Sequence, residues 1–174
     1  VLPPDPIDIA PPNARGVTTS FAQSVAFLWR PGGVQFGADP NSFDVARVAV
    51  VRGRVLDRDG LPVAGVRVSS LSHPEHGFTR TREDGSFDLA VNGGDRTTLR
   101  FRLAGYIEVQ RSLEAHFLDW TTLDEVILTP LDEQVTEVTL GAELMQVAQG
   151  STVTDDDGTR AAHVLFPSGT TAEM

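Results

Sequence analysis

From Val51 to Val68 the chain alternates so regularly that only a half-buried β-structure accommodates it. The run is Val51-Arg-Gly-Arg-Val-Leu-Asp57-Arg-Asp59-Gly60-Leu-Pro62-Val-Ala-Gly65-Val-Arg-Val68. Val51, Gly53 and Val55 fall on one face and Arg52 and Arg54 on the other, the period of a strand with one side in a core. Asp57-Arg-Asp-Gly60 then supplies turn chemistry, because aspartate side chains bond nearby backbone amides and glycine accepts positive φ. Val66-Arg-Val68 resumes the alternation. Thr81-Arg-Glu-Asp84-Gly85-Ser-Phe87-Asp-Leu89 repeats the device, with Asp84-Gly85 as the expected hairpin corner. The pattern predicts strands near 47–56, 65–71, 78–82, 86–91, 97–103, 106–113 and 123–129. Their apolar members, Val51, Val55, Val66, Val68, Phe87, Leu89, Leu99, Phe101 and Val109, form the expected core. Asn92-Gly-Gly-Asp95 is a further hairpin turn by composition, and Ala115 to Thr122 a longer connection covering one end of the sandwich.

Composition narrows function. The formal charge of −10 argues against nucleic acid and anionic membranes, since both need a basic face. All 14 basic residues are arginine, which excludes lysine Schiff-base and nucleophile chemistry. Without cysteine there are no disulfides, thiolate metal sites or Fe–S clusters. No apolar run reaches the roughly 18 residues of a transmembrane helix. Val1-Leu-Pro-Pro-Asp-Pro lacks the features of a signal peptide, and a chain that begins without Met and stops in mid-pattern at Met174 reads as a segment of something longer.

These β motifs, with Arg102-Leu-Ala-Gly105-Tyr106 between two further β runs, resemble the transthyretin-like, carboxypeptidase regulatory-like domain of secreted and surface multidomain proteins. The resemblance covers Ala49 to Pro130. It implies an all-β antiparallel sandwich and no active site, because a fold transfers no chemistry by itself. Some resembling surface modules carry a Lys–Asn isopeptide crosslink, which a lysine-free chain cannot form. Residues 1–44 read as an extended, Pro-rich linker with a short apolar strand at Ser24–Trp29, leaving Ile7 and Ile9 without partners in their own module. Residues 45–130 are the sandwich, closed by Pro130. Residues 131–174 are additional strands, with Leu144, Met145 and Val147 on a strand or a short helix. The stretch from Gly150 to Thr170 resembles the opening of a second β module in teneurin-like, YD-repeat (Rhs-type) proteins.

Candidate chemistry is sparse. His73-Pro-Glu-His76 offers two imidazoles and a carboxylate, yet Pro74 denies them a shared helix face. Asp155-Asp-Asp157-Gly158 and Asp57-Arg-Asp59-Gly60 each share part of a calcium loop but lack its closing glutamate. Ser69, Ser70 and Ser72 beside His73 have no orienting acid in sequence, and Glu83 and Asp84 point to opposite faces of a strand. The expectation is no catalytic, cofactor-binding or metal-binding residue. Arg52, Arg54 and Arg67 are expected in cross-strand ion pairs with carboxylates such as Asp88. Trp29, Trp120 and Phe117 are the aromatics that could stack on sugars, although core burial or packing against a neighbouring domain explains them better. The implied function is a non-catalytic structural or interaction module of a large secreted or surface bacterial protein. Its partners would be adjacent domains, with a glycan or protein ligand also open. The alternative is a carbohydrate- or peptide-binding accessory module of a secreted enzyme.

Overall fold

The computed structural model describes residues 1–12 and 16–173, which form two compact units, Val1–Pro130 and Leu131–Met174. The first unit is an all-β sandwich. One sheet holds β1 (Val48–Leu56) between β4 (Ser86–Asn92) and an edge made of β7 (Trp120–Thr122) and β8 (Val126–Ile127). The other runs β3 (Phe78–Arg80), β2 (Arg67–Ser70), β5 (Arg96–Arg102), β6 (Val109–Glu114). Pairing is antiparallel except at the β7–β8 edge, which lies parallel to β1 and continues past Leu123–Glu125 after a break. The expected core is in place, from Val51 and Phe87 to Phe101, and only Val109 is merely half-buried.

The turns do something other than expected. Asp57–Gly60, Asp84-Gly85 and Asn92–Asp95 each join a strand of one sheet to a strand of the other, so they are sheet-crossing corners. Asp–Gly chemistry reverses the chain but leaves the pairing partner to be set by which sheet receives the next apolar face. The β5–β6 connection joins neighbours in one sheet.

The larger correction concerns residues 1–44. Ser24–Trp29 is no strand: α2 (Phe21–Val25) starts at Ser20, whose hydroxyl and the Gln23 carboxamide cap each other's backbone amides, and a 3-10 turn follows over Ala26–Leu28. This segment lies on the outer face of β1 and β4. There Ala22, Val25, Leu28, Trp29, Val34 and Phe43 bury Val48, Val50 and Ala90 in a second apolar cluster. β1 is therefore covered on both sides, with Ala49 and Val51 facing the sandwich and Val48 and Val50 facing the N-terminal layer. Ile9 packs partly against that cluster, whereas Ile7, on the single helical turn α1 (Pro6–Ile9), is 84% exposed.

Gln35 ties the layer to the sheet edge. Its buried carboxamide accepts from the Ala90 amide at 2.9 Å and donates to the Ala90 carbonyl at 3.0 Å, and also to the His76 carbonyl. It thus does for β4 what a further strand would do. Phe36 and Phe78 exchange backbone bonds of 2.7 and 3.0 Å, and the Asn92 side chain holds the Ser42 carbonyl and the Asp44 amide.

In the second unit β9 (Gln146–Gln149) pairs with β12 (His163–Phe166), and β10 (Val153–Asp155) with β11 (Gly158–Arg160). Leu144 and Met145 precede β9 outside any helix. None of this unit's described side chains is buried.

Candidate functional site

The His73–His76 loop folds as a 3-10 turn over Pro74–His76, ended by Gly77 at φ +70°, where an added Cβ would strike the Phe36 carbonyl. This turn brings Glu75 to His73, with Oε1 2.9 Å from Nδ1, and places His73, Glu75 and His76 donor atoms within 4.8 Å of one another. The third donor for a metal is thus Glu75, from the same turn. His76 is buried, and its ring stacks between Phe43 and His73, each 5.1 Å away centroid to centroid. Trp29 extends the stack on the far side of Phe43 at 4.4 Å. The Asn92 amide donates to the Ser42 carbonyl and lies 3.3 Å from His76 Nε2, which assigns Nε2 as acceptor and the proton to Nδ1. That Nδ1 has no hydrogen-bond partner. Desolvation first, then the His73 charge, hold the His76 pKa below its ordinary value, with Glu75 opposing them. Zinc must lie in the ring plane of each ligating imidazole, about 2.0–2.1 Å from nitrogen. The His73 and His76 rings face each other with their planes 26° apart, so one ion could not lie close to both ring planes, and the observed arrangement serves packing better than ligation.

At each acidic corner one aspartate is held by the chain itself. Asp155 is claimed by Arg160, at 2.8 Å from Nη1, across the β10–β11 hairpin, and that bond holds its pKa down. Asp57 accepts from the Asp59 and Leu61 amides, closing its turn. No hydroxyl bonds His73 among the described residues, and Ser70 Oγ is buried without a partner.

The arginines divide. Arg52 pairs with Asp88 at 3.0 Å as expected, and its guanidinium also lies 4.0 Å from the Trp120 ring centre. Asp88, fully buried, takes a second bond of 2.8 Å from Arg82. Arg54 donates to the Asp84 carbonyl instead of a carboxylate. Arg67 departs furthest from expectation. It lies on the other sheet, where its directly opposed cross-strand neighbours are Arg80 and Arg102. Its guanidinium stacks on Phe78 at 3.5 Å and makes no ion pair among the described residues. Of the aromatics, Trp29 is buried, Trp120 carries Arg52 on its face and Phe21 at its edge, and Phe117 is half-exposed over Gly94. The stacking platform Trp120 would offer a sugar is thus occupied.

Residues 43–128 match the profile of the teneurin TTR-like domain. The chain carries a teneurin-type transthyretin-like domain. It is 36% identical over 129 residues to Teneurin-3 of Danio rerio, covering 72% of this chain and 5% of that protein. It is 37% identical over 143 residues to Teneurin-m of Drosophila melanogaster, covering 80% and 5%, and 37% identical over 122 residues to Teneurin-4 of Mus musculus, covering 67% and 4%. The aligned stretches are longer than the sandwich alone, and the chain spans about one-twentieth of the length of these relatives.

Proposed function

We propose that the chain is a non-catalytic structural module of a large secreted or cell-surface polypeptide of teneurin-like, YD-repeat type, and that it works by packing against adjacent domains. The observation that carries this reading is the match of residues 43–128 to the teneurin TTR-like domain, within a chain that equals only 5% of its relatives' length. Two features support it. The polar groups best placed for chemistry, Asp88, Gln35 and His76, are buried in contacts within the fold. The second unit leaves Val135, Leu144 and Met145 largely exposed, apolar surface of the kind that packs against further protein. The source belongs to the same reading: named relatives are animal proteins, while a lysine-free chain with 14 arginines favours a GC-rich bacterial genome.

Calorimetry of residues 1–174 alone and within a longer parent polypeptide tests the proposal. A packing module unfolds at a higher temperature in the parent, together with its neighbours. Unchanged, independent unfolding in both would contradict it.

A further inference from the structure

The outer face of the β3–β2–β5–β6 sheet gathers four arginines, Arg67, Arg80, Arg100 and Arg102, in an acidic chain. Arg80, Arg67 and Arg102 stand side by side on three adjacent strands, as directly opposed register partners. Arg100 follows on the same face of β5, two residues before Arg102. Neighbouring strands lie about 4.8 Å apart, so this row sets like charges at the spacing where cross-strand repulsion is greatest. Compensation is partial. Glu108 serves both Arg100, at 3.2 Å, and Arg102, at 3.1 Å, while Arg80 donates to the Gly65 carbonyl. Arg67 is held only by the face of Phe78. Desolvation, then Arg80 and Arg102, lower the pKa of Arg67, the electrostatic mark of an uncompensated cation. The row floors a groove of about 770 Å³ whose only acidic lining residue is Glu108 and whose apolar margin includes Leu71, Leu103 and Tyr106.

We propose that this groove binds an extended acidic segment of a partner protein, whose alternate carboxylates pair with Arg67, Arg80 and Arg102 while the residues between them meet Leu103 and Tyr106. Guanidinium groups take carboxylates in two-point fashion, and alternate residues of an extended peptide face one side, about 6.7 Å apart, a repeat that the long arginine side chains meet by splaying from their strand spacing of about 4.8 Å. Charge complementarity also chooses among anions. A long polyanion or a charged membrane feels the field of the whole chain, which carries −10 and repels it. A short acidic segment lies within the Debye length of about 8 Å, where the local arginines dominate. The inference deepens the reading of the chain as an interaction module by naming a partner chemistry. It stands apart from the calorimetric test, which reports packing in the parent whether or not this groove is used.

The test is fluorescence anisotropy of residues 1–174 with a labelled octapeptide bearing glutamate at every second position and leucine or tyrosine between. Saturable binding is expected, weakening as salt rises, and at least tenfold weaker in the double variant Arg67→Gln/Arg102→Gln. That variant removes two like-charge contacts together with the Arg102–Glu108 pair and the Arg67–Phe78 stack, opposing changes at the surface, so it should still unfold cooperatively. Arg54→Gln, on the other sheet, should leave binding unchanged. Absence of saturable binding would overturn the proposal, as would equal binding by the double variant. So would loss of cooperative unfolding in that variant, which would make the row a structural feature. Heparin oligosaccharide or phosphatidylserine vesicles binding more tightly than the peptide would also overturn it, since the groove would then be a polyanion site.

Discussion

Removing the Asp88 carboxylate should be among the most damaging single changes on the outer face of the sandwich. Asp88 lies directly across from Arg52 and is buried, accepting from Arg52 through one oxygen and from Arg82 through the other. The two arginines differ in what they lose. The Arg52 side chain is 47% exposed and can return to water, so its share is about 0–1 kcal/mol. The Arg82 side chain is only 15% exposed, and its Nη1 already lacks a hydrogen-bond partner, so without Asp88 it becomes a nearly buried, unpaired cation. Breaking such a pair from one side costs about 3–5 kcal/mol. Asp88→Ala should therefore destabilise the Val1–Pro130 unit by about 3–5 kcal/mol, lowering Tm by roughly 10 °C. Urea denaturation followed by tryptophan fluorescence reads this cleanly, because Trp29 and Trp120 both belong to that unit. The combined change Asp88→Leu with Arg82→Met replaces the pair by apolar groups and should recover most of the loss. A cost for Asp88→Ala below about 0.5 kcal/mol, or a double variant no better than the single, would refute the reasoning.

Three further outcomes follow from the same contacts. Gln35→Met strands the Ala90 amide and carbonyl and the His76 carbonyl in an apolar site, and urea titration should show a loss of about 2–5 kcal/mol, against under 0.5 for the exposed Gln110→Met. The folded-state pKa of His76 is depressed, so below its ordinary value of 6.5 the unfolded chain binds the proton more readily. Stability should fall as pH drops below about 6.5, level off beneath the folded-state pKa, and decline less in His76→Gln when Tm is followed against pH. Calorimetric titration of the chain with Zn²⁺ should show no micromolar site, because the His73 and His76 rings are stacked; a micromolar site lost in His73→Ala would contradict this.

The period-2 runs were legible because β2, β5 and most of β1 and β4 send alternate apolar residues into one core, and that pattern is local. Two things were not. Val48-Ala-Val-Val51 reads as one half-buried strand end, yet four consecutive apolar residues signal burial on both faces and so a second layer. Ser20-x-x-Gln23 before an apolar run is a capping-box signature that would have placed a helix where a strand was expected. Gln35 offers no such signal, since a lone glutamine in a loop gains its role only when Ala90 arrives from 55 residues away. The corner residues were right as turns and misleading as hairpins, and that error put Arg67 opposite Asp88. Register across sheets decides its true neighbours, Arg80 and Arg102, and register is a tertiary property.

At the centre of this account is a transthyretin-like sandwich that carries its own N-terminal layer, which closes one sheet face and leaves the arginine-lined face open. The Ala90 amide reports on that layer directly. It points away from β1 and is held by Gln35 alone, at 2.9 Å. In native-state hydrogen exchange of residues 1–174, Ala90 is expected to exchange as slowly as Val51 and Leu89, through global unfolding. Exchange at the rate of an open strand edge, while Val51 and Leu89 stay protected, would mean that residues 20–44 are the linker their composition suggests.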